Sequence, residues 1–288
     1  MDGIISVLKP PAMSSSDVVV DIRRLFEQKK VGHTGTLDPG AAGVLPICLG
    51  RATRLFDYLV DKEKQYIFEI CFGWATDTQD AYGKIIYSCQ REVTQEELLG
   101  VLPRFMGEQT QIAPMYSALK SGGRKLYDIA LAGETVPDKV RQITVGDIHL
   151  IEQTDKNRFL LSVDCSRGTY VRTICHDIGM ALDTAAHLSF LLRTKSGAFE
   201  LKDSYTIAEL EKMKAEGTLE RAVTSCQKAM EFLPQVNIPS DRESAVKNGL
   251  TTTVKGVANG RVRCYCKGLF LGLAQVEREQ LKLEVHLY

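Results

Sequence analysis

The sequence predicts an α+β fold with a small all-β module at its C-terminal end. Strand-like and helix-like stretches are mixed along the chain without regular βα repetition, which argues against a doubly wound sheet. Two helix starts carry capping-box signatures, Thr94-Gln95-Glu96-Glu97 and Thr206-Ile207-Ala208-Glu209. After Pro234 the chain turns into short strand-like runs punctuated by Gly256, Asn259-Gly260 and Lys267-Gly268.

Element by element, a short strand leads into a helix over Asp17–Lys30, which Ser16 can cap. Val18, Ile22, Leu25 and Phe26 recur there at helical spacing, and Gly32 ends the run. Arg51–Lys62 reads as a second helix. Lys64–Gly73 alternates, so Tyr66, Phe68, Ile70 and Phe72 share one face of a strand. The first capping box opens a helix toward Phe105. Phe159–Ser166 reads as a strand, Tyr170–Leu182 as a helix and Ala186–Thr194 as a strand. Pro234–Pro239, with two prolines and no helical period, reads as a linker. Strands are expected at Thr251–Val254, Arg261–Cys266, Leu269–Val276 and Leu281–His286. The segment from Arg242 to Leu271 carries six basic residues and one acidic, which suggests RNA docking by a compact β module.

Composition narrows the function. The 288 residues include 36 basic and 36 acidic side chains, so the chain is not a simple polycation, although locally segregated charge can still bind nucleic acid. No signal peptide and no bilayer-length apolar run is visible. The eight cysteines form no Cys-x-x-Cys pair, and Cys264 and Cys266 read as strand-face thiols rather than a zinc site. A cytoplasmic protein with reduced thiols is expected.

The most informative stretch is Gly32-His33-Thr34-Gly35-Thr36-Leu37-Asp38-Pro39-Gly40-Ala41-Ala42-Gly43-Val44-Leu45-Pro46. It sets four glycines and two prolines around one carboxylate. Pro39 biases Asp38 toward an extended or turn geometry, so the carboxylate is expected on a shaped loop. No Gly-Lys-Ser/Thr follows, and the spacing is not the dinucleotide fingerprint, so this is not a phosphate loop. An aspartate held in this way can act as nucleophile or base without a metal.

This run resembles the bacterial TruB family of tRNA pseudouridine-55 synthases. The resemblance recurs in order at Leu8-Lys9-Pro10 with Met13-Ser14-Ser15, Lys64-Gln65-Tyr66, Thr76-Asp77-Thr78-Gln79-Asp80-Ala81-Tyr82-Gly83, Tyr116-Ser117-Ala118-Leu119-Lys120 and Ser166-Arg167-Gly168-Thr169-Tyr170-Val171-Arg172-Thr173. It covers most of the first ~230 residues, a length that one large domain can accommodate. It implies a pseudouridine-synthase core with a large, mostly antiparallel sheet over residues 1–232. An RNA-binding thumb is expected at about 108–146, and a PUA-like docking domain at 233–288.

By the same resemblance, Asp38 is the catalytic carboxylate that isomerises uridine 55 in the tRNA T-arm. Attack at C1′ and abstraction of a ribose proton are both open to it. Arg172 is expected to pair with Asp38, and Tyr66 to stack on the target uracil. Tyr170 and Leu191 line the uridine pocket, and His33 helps hold the base out of its stack. Asp80 orients a nearby loop. Lys120, Arg124 and Lys125 meet backbone phosphates from the thumb. No cofactor, metal or protein partner is implied, and a monomer is expected. A tRNA-folding factor that binds the T-arm, with isomerase activity secondary or lost, is the alternative. The sequence departs from the family pattern at Gly40, where Leu is frequent, at Ala42, where Thr is frequent, and at Leu192, which replaces the first of two arginines and leaves Arg193.

Overall fold

The structure is a computed structural model of the 288-residue chain. It describes all residues except 61, 118, 127–128, 130–131 and 135–136, together with the side chains of residues 120, 121 and 125. A nine-stranded sheet forms the body. Its main path runs Gly3–Lys9, Ala42–Leu49, Ala186–Ser196, Lys64–Phe72, Arg158–Cys165, Val140–Asp155 and Gly107–Ile112. Every pair on this path is antiparallel except Ala186–Ser196 with Ala42–Leu49. The short strands Val31–His33 and Phe199–Glu200 pair off it. The sheet is therefore mixed and mostly antiparallel, as expected.

The period-two pattern of Lys64–Phe72 is realised at the centre of this sheet. Tyr66, Phe68, Ile70 and Phe72 are all buried, in one cluster with Phe159, Leu161 and Ile174. The helix Val171–Ala181 buries Val171, Ile174, Cys175 and Ile178, one face at 3.6-residue spacing, and belongs to the same core.

Both predicted capping boxes form. Thr94 and Thr206 accept the backbone N–H of Glu97 and Glu209, whose carboxylates accept in return. The first helix differs from expectation. It spans Ser15–Leu25, and its cap is Ser14 rather than Ser16, because Asp17 closes the box with Ser14. Beyond Leu25 the chain leaves the helix, and Val31–His33 is a strand that includes Gly32. Arg51–Lys62 is likewise a 3-10 turn, Gly50–Leu55, followed by the short helix Phe56–Val60.

The C-terminal region is a five-stranded sheet in the order Gln235–Asn237, Gly260–Cys266, Leu269–Glu277, Gln280–His286, Thr252–Thr253. The stretch read as a linker thus contributes a strand, Gln235–Asn237, parallel to Gly260–Cys266. Its prolines lie just outside the strand, where their missing N–H groups cost nothing to the ladder. This sheet has its own core around Val262, Leu271 and Leu281. On its other side Leu273, Val285 and Leu287 pack with Ile4, Val44, Leu55 and Met230 of the large body. Several of its basic residues are engaged within the chain. Arg242 donates to the Thr251 carbonyl, Arg263 donates to the Leu233 carbonyl, Lys247 pairs with Glu243 and Arg261 sits over the Tyr58 ring.

A cavity built around an aspartate–arginine pair

Three elements converge on Asp38. The loop from Thr34 to Ala41 carries it out of the strand Val31–His33. The two central strands supply Tyr66 and Arg193, which face each other in register. The helix Val171–Ala181 supplies Arg172 from its first turn. Together Asp38, Tyr66, Tyr170, Arg172, Leu191 and His33 line one cavity of about 320 Å³. All six of the residues expected for catalysis and base binding are thus brought to one place.

Arg172 is 4 % exposed, and its Nε donates to Asp38 Oδ2 at 3.0 Å. Two further donors are taken up, Nη1 by the Thr78 carbonyl at 3.0 Å and Nη2 by the Tyr116 carbonyl at 2.9 Å. This fixes the guanidinium in one orientation, so the carboxylate meets a positioned fork rather than a swinging cation. Burial raises the Asp38 carboxyl above the ordinary carboxylate range. The Arg172 charge pulls it back down, and Asp80 pushes it up.

Asp80 stands outside the cavity. Its Oδ1 accepts from the Thr78 hydroxyl at 2.7 Å and from the Tyr82 N–H at 3.0 Å, and its Oδ2 lies 3.8 Å from Arg172 Nη1. These contacts fit a carboxylate that shapes the Thr76–Gly83 turn and backs the guanidinium.

The loop itself is held by groups to which the sequence assigned no role. Lys9 is fully buried, and its Nζ donates to the carbonyls of Pro10 at 2.7 Å, Met13 at 2.6 Å and Pro39 at 3.2 Å. Burial pushes its ammonium down to about 8, although the Asp38 carboxylate pulls the other way. Arg193, 1 % exposed, donates to the carbonyls of Val44 at 2.7 Å, Gly35 at 3.2 Å and Thr36 at 3.4 Å. Ser15 Oγ accepts the Leu37 N–H at 2.8 Å and donates to the Leu37 carbonyl at 3.0 Å. Residues 35, 36, 37 and 39 are thus each tied down, and Asp38 projects from the middle of the clamp. Gly43 makes the arrangement possible. Its φ is +119°, and a Cβ there would lie 2.2 Å from the Arg193 carbonyl oxygen.

Tyr66 pairs with Arg193 across the two strands, and burial raises its phenol against the pull of that cation. His33 Nδ1 accepts the Gly35 N–H at 3.3 Å, which places the ring proton on Nε2. Burial, reinforced by Arg193, lowers its imidazolium below the ordinary range. Tyr170 is fixed through its backbone by Gln111, which accepts its N–H at 2.8 Å and donates to its carbonyl at 3.0 Å. Arg141 and Arg167 also line the cavity and bring positive charge to it, whereas Lys64, also in its lining, is buried and donates to the Val60 and Lys62 carbonyls.

The predicted thumb cations are described only in part. Lys120 and Lys125 lie in a short hairpin, but their side chains are outside the described residues. Arg124 forms a two-pronged pair with Glu134 at 3.0–3.1 Å. That carboxylate lies ten residues further along the chain. Among the described residues no cluster of three His, Cys, Asp or Glu side chains could hold a metal, and no helix is long and apolar enough to cross a membrane.

An aspartate clamped on a Gly/Pro loop, paired with a buried arginine under an aromatic and a leucine, is the arrangement expected of a pseudouridine synthase. Comparison with known proteins gives the same class. The model of the TruB family pseudouridylate synthase N-terminal domain matches residues 23–171, and that of the tRNA pseudouridylate synthase B C-terminal domain matches residues 172–232. The tRNA pseudouridine synthase B of Pelotomaculum thermopropionicum is 42 % identical over 99 % of this chain and 94 % of its own length. That of Caldanaerobacter subterraneus subsp. tengcongensis is 44 % identical over 98 % of both chains. Among solved structures, an H/ACA RNP bound to a substrate RNA containing 2′-deoxyuridine aligns with TM-score 0.75 and 26 % identity, over 99 % of this chain and 84 % of the other. The chain belongs to the TruB family of pseudouridylate synthases.

Proposed function

We propose that this protein isomerises uridine 55 in the T-arm of tRNA to pseudouridine, with Asp38 as the catalytic carboxylate. The observation that carries the reading is the 3.0 Å Asp38–Arg172 pair in a cavity walled by Tyr66 and Leu191. The reaction breaks the C1′–N1 bond and forms C1′–C5. The proton lost from C5 is balanced by one gained at N1, so no oxidant or energy source enters the stoichiometry.

A nucleotide reaches such a cavity only when it is turned out of its stack, and an aromatic face is the partner a flipped base needs. Tyr66 offers that face, and Leu191 lines the cavity on the neighbouring strand. The Asp38 carboxylate, kept ionised by Arg172, can attack C1′ or take a ribose proton while the detached uracil turns in place. Arg141 and Arg167 at the cavity suit the phosphates of the strand entering it. The relatives' names and the backbone clamp around Asp38 support this reading over a T-arm-binding factor without chemistry. A pure binder has no need of a buried Arg172 directed at a single carboxylate.

The test is incubation of the purified chain with an unmodified tRNA transcript, with no added metal or nucleotide, followed by mapping of pseudouridine. Conversion at position 55 is expected, and Asp38→Asn should abolish it while leaving tRNA affinity intact. Near-normal turnover by the Asn variant overturns the assignment of Asp38. Conversion at a different uridine overturns the T-arm assignment.

A further inference from the structure

An aromatic ledge borders the base cavity on its outer side. Tyr82 is 75 % exposed and Phe190 45 % exposed. Both line a shallow crevice whose other walls include Asp38, Gly40, Asp80 and Arg172. The crevice adjoins the base cavity, because Asp38, Arg172 and Leu191 line both. Its volume is about 20 Å³, too little to admit a base, so anything recognised there lies across the rim rather than inside.

The ledge is built rather than incidental. Tyr82 sits on the tight turn between the strands Trp74–Thr76 and Ile85–Ser88. Its N–H is held by Asp80 Oδ1, and the neighbouring Ala81 N–H donates to the Leu188 carbonyl at 3.0 Å. The ring rests on the backbone of Gly40: a Cβ at that position would lie 2.0 Å from Tyr82 Cε2 and 2.7 Å from Cζ. Position 40 must therefore lack a side chain for the ring to occupy its place, two residues from Asp38. Phe190 neighbours Leu191 on the central strand, where a β-bulge between Leu188 and Phe190 breaks the alternation.

We propose that Tyr82, with Phe190 beside it, forms a stacking ledge for the unpaired nucleobase adjoining the target uridine. The occupant follows from the adjacency of the two sites. A base withdrawn into the cavity leaves its neighbour in the strand without a stacking partner. Exposed aromatic faces are the surfaces on which proteins hold unpaired bases, and they tolerate any base identity. The ledge thus recognises an unstacked flanking nucleotide rather than a particular sequence. The proposal rests on the isomerase reading for the identity of the RNA.

Binding titrations with unmodified tRNA transcript test it directly, using intact RNA and RNAs made abasic at the nucleotide on either side of the target. Tyr82→Ala should weaken binding of intact RNA about 10-fold, whereas Tyr82→Phe, which keeps the π-face, should stay within about two-fold. One abasic RNA should lose the same factor with the unaltered protein, and its binding should be nearly indifferent to Tyr82→Ala. Such non-additivity is a signature that a merely structural role for Tyr82 does not produce.

The proposal is overturned if Tyr82→Ala binds intact RNA as tightly as the unaltered chain, or if the two losses simply add. It is also overturned if neither abasic RNA binds more weakly to the unaltered chain, a comparison that needs no variant to fold. A change in oligomeric state on Tyr82→Ala with unchanged RNA binding likewise overturns it, and assigns the ledge to a second copy of the chain. These measurements need no turnover. If the unaltered protein makes no pseudouridine, the isomerase reading fails, while the binding comparison still decides the ledge.

Discussion

Replacing Arg172 with Met removes the guanidinium while keeping a side chain of similar length and apolar bulk. Three interactions go with it: the 3.0 Å bond to Asp38 and the bonds to the Thr78 and Tyr116 carbonyls. Breaking one side of a fully buried ion pair costs about 3–5 kcal/mol. Asp38 keeps 41 % of its side chain exposed, so water replaces part of what the arginine gave. A figure of about 2–3 kcal/mol is then appropriate for the lost support of the ionised carboxylate, which corresponds to roughly 30- to 150-fold in rate at neutral pH. The sign of the pH effect follows from the same contacts. Burial and Asp80 already raise the Asp38 carboxyl, and Arg172 is the largest influence lowering it. Without the arginine the carboxyl rises further, and the ionised form is lost at a higher pH as the solution is acidified. Single-turnover rates from acid to neutral and beyond should therefore show a rising limb displaced upward in the variant, with part of the rate regained in alkali. Affinity for tRNA should change much less than the rate. An unchanged single-turnover rate across the range refutes the functional pairing, and a loss confined to affinity makes Arg172 a docking residue instead.

Arg193→Met should act through the scaffold, because the buried guanidinium holds the loop carbonyls of Gly35 and Thr36 and the strand carbonyl of Val44. Leaving buried acceptors without donors costs about 1–3 kcal/mol each, and at roughly 2–4 °C per kcal/mol the melting temperature should fall by about 6 °C or more. A melting temperature within about 2 °C of the unaltered chain shows that the clamp is not structural. A chain ending at Glu231 should not fold stably, since Leu273, Val285 and Leu287 cover Ile4, Val44, Leu55 and Met230. Uncovering four such side chains costs about 1.5–3 kcal/mol apiece, comparable with the whole stability of a domain, about 5–15 kcal/mol. Cooperative unfolding of that truncated chain near the temperature of the full chain contradicts the shared core.

The elements that declared themselves in the sequence are those whose own residues decide them. Lys64–Phe72 alternates because both its neighbours in the sheet are antiparallel and one of its faces meets the core. The two Thr-x-x-Glu boxes formed because a capping box is complete within four residues. The strand Val140–Asp155 stayed hidden for the opposite reason. Most of its sixteen residues are exposed or half-exposed, and its register shifts three times against Arg158–Cys165, so no single hydrophobic period runs through it. Gln235–Asn237 was hidden by its flanking prolines, which mark an edge strand as readily as a linker.

The same distinction separates the legible from the illegible parts of the site. Asp38, Arg172 and Tyr66 stand in motifs dense with glycine, aromatic and charged residues, and the geometry brings them together. Lys9 and Ser15 stand in matched motifs too, yet nothing local gives them a task. Lys9 sits in an apolar strand and donates to Pro39, thirty residues away, while Ser15 reads as one serine in a row of three. A lysine fully buried at a strand end is the signal that could have exposed the first, because an ammonium leaves water only where carbonyls or carboxylates replace it. Arg193 carries the same message, and on the sequence it was visible only as what remained of an arginine pair. Buried cations of this kind act through backbone carbonyls, and carbonyls leave no mark on a sequence. The carboxylate was therefore legible from the sequence, but the cations that clamp its loop became evident only once the chain was folded.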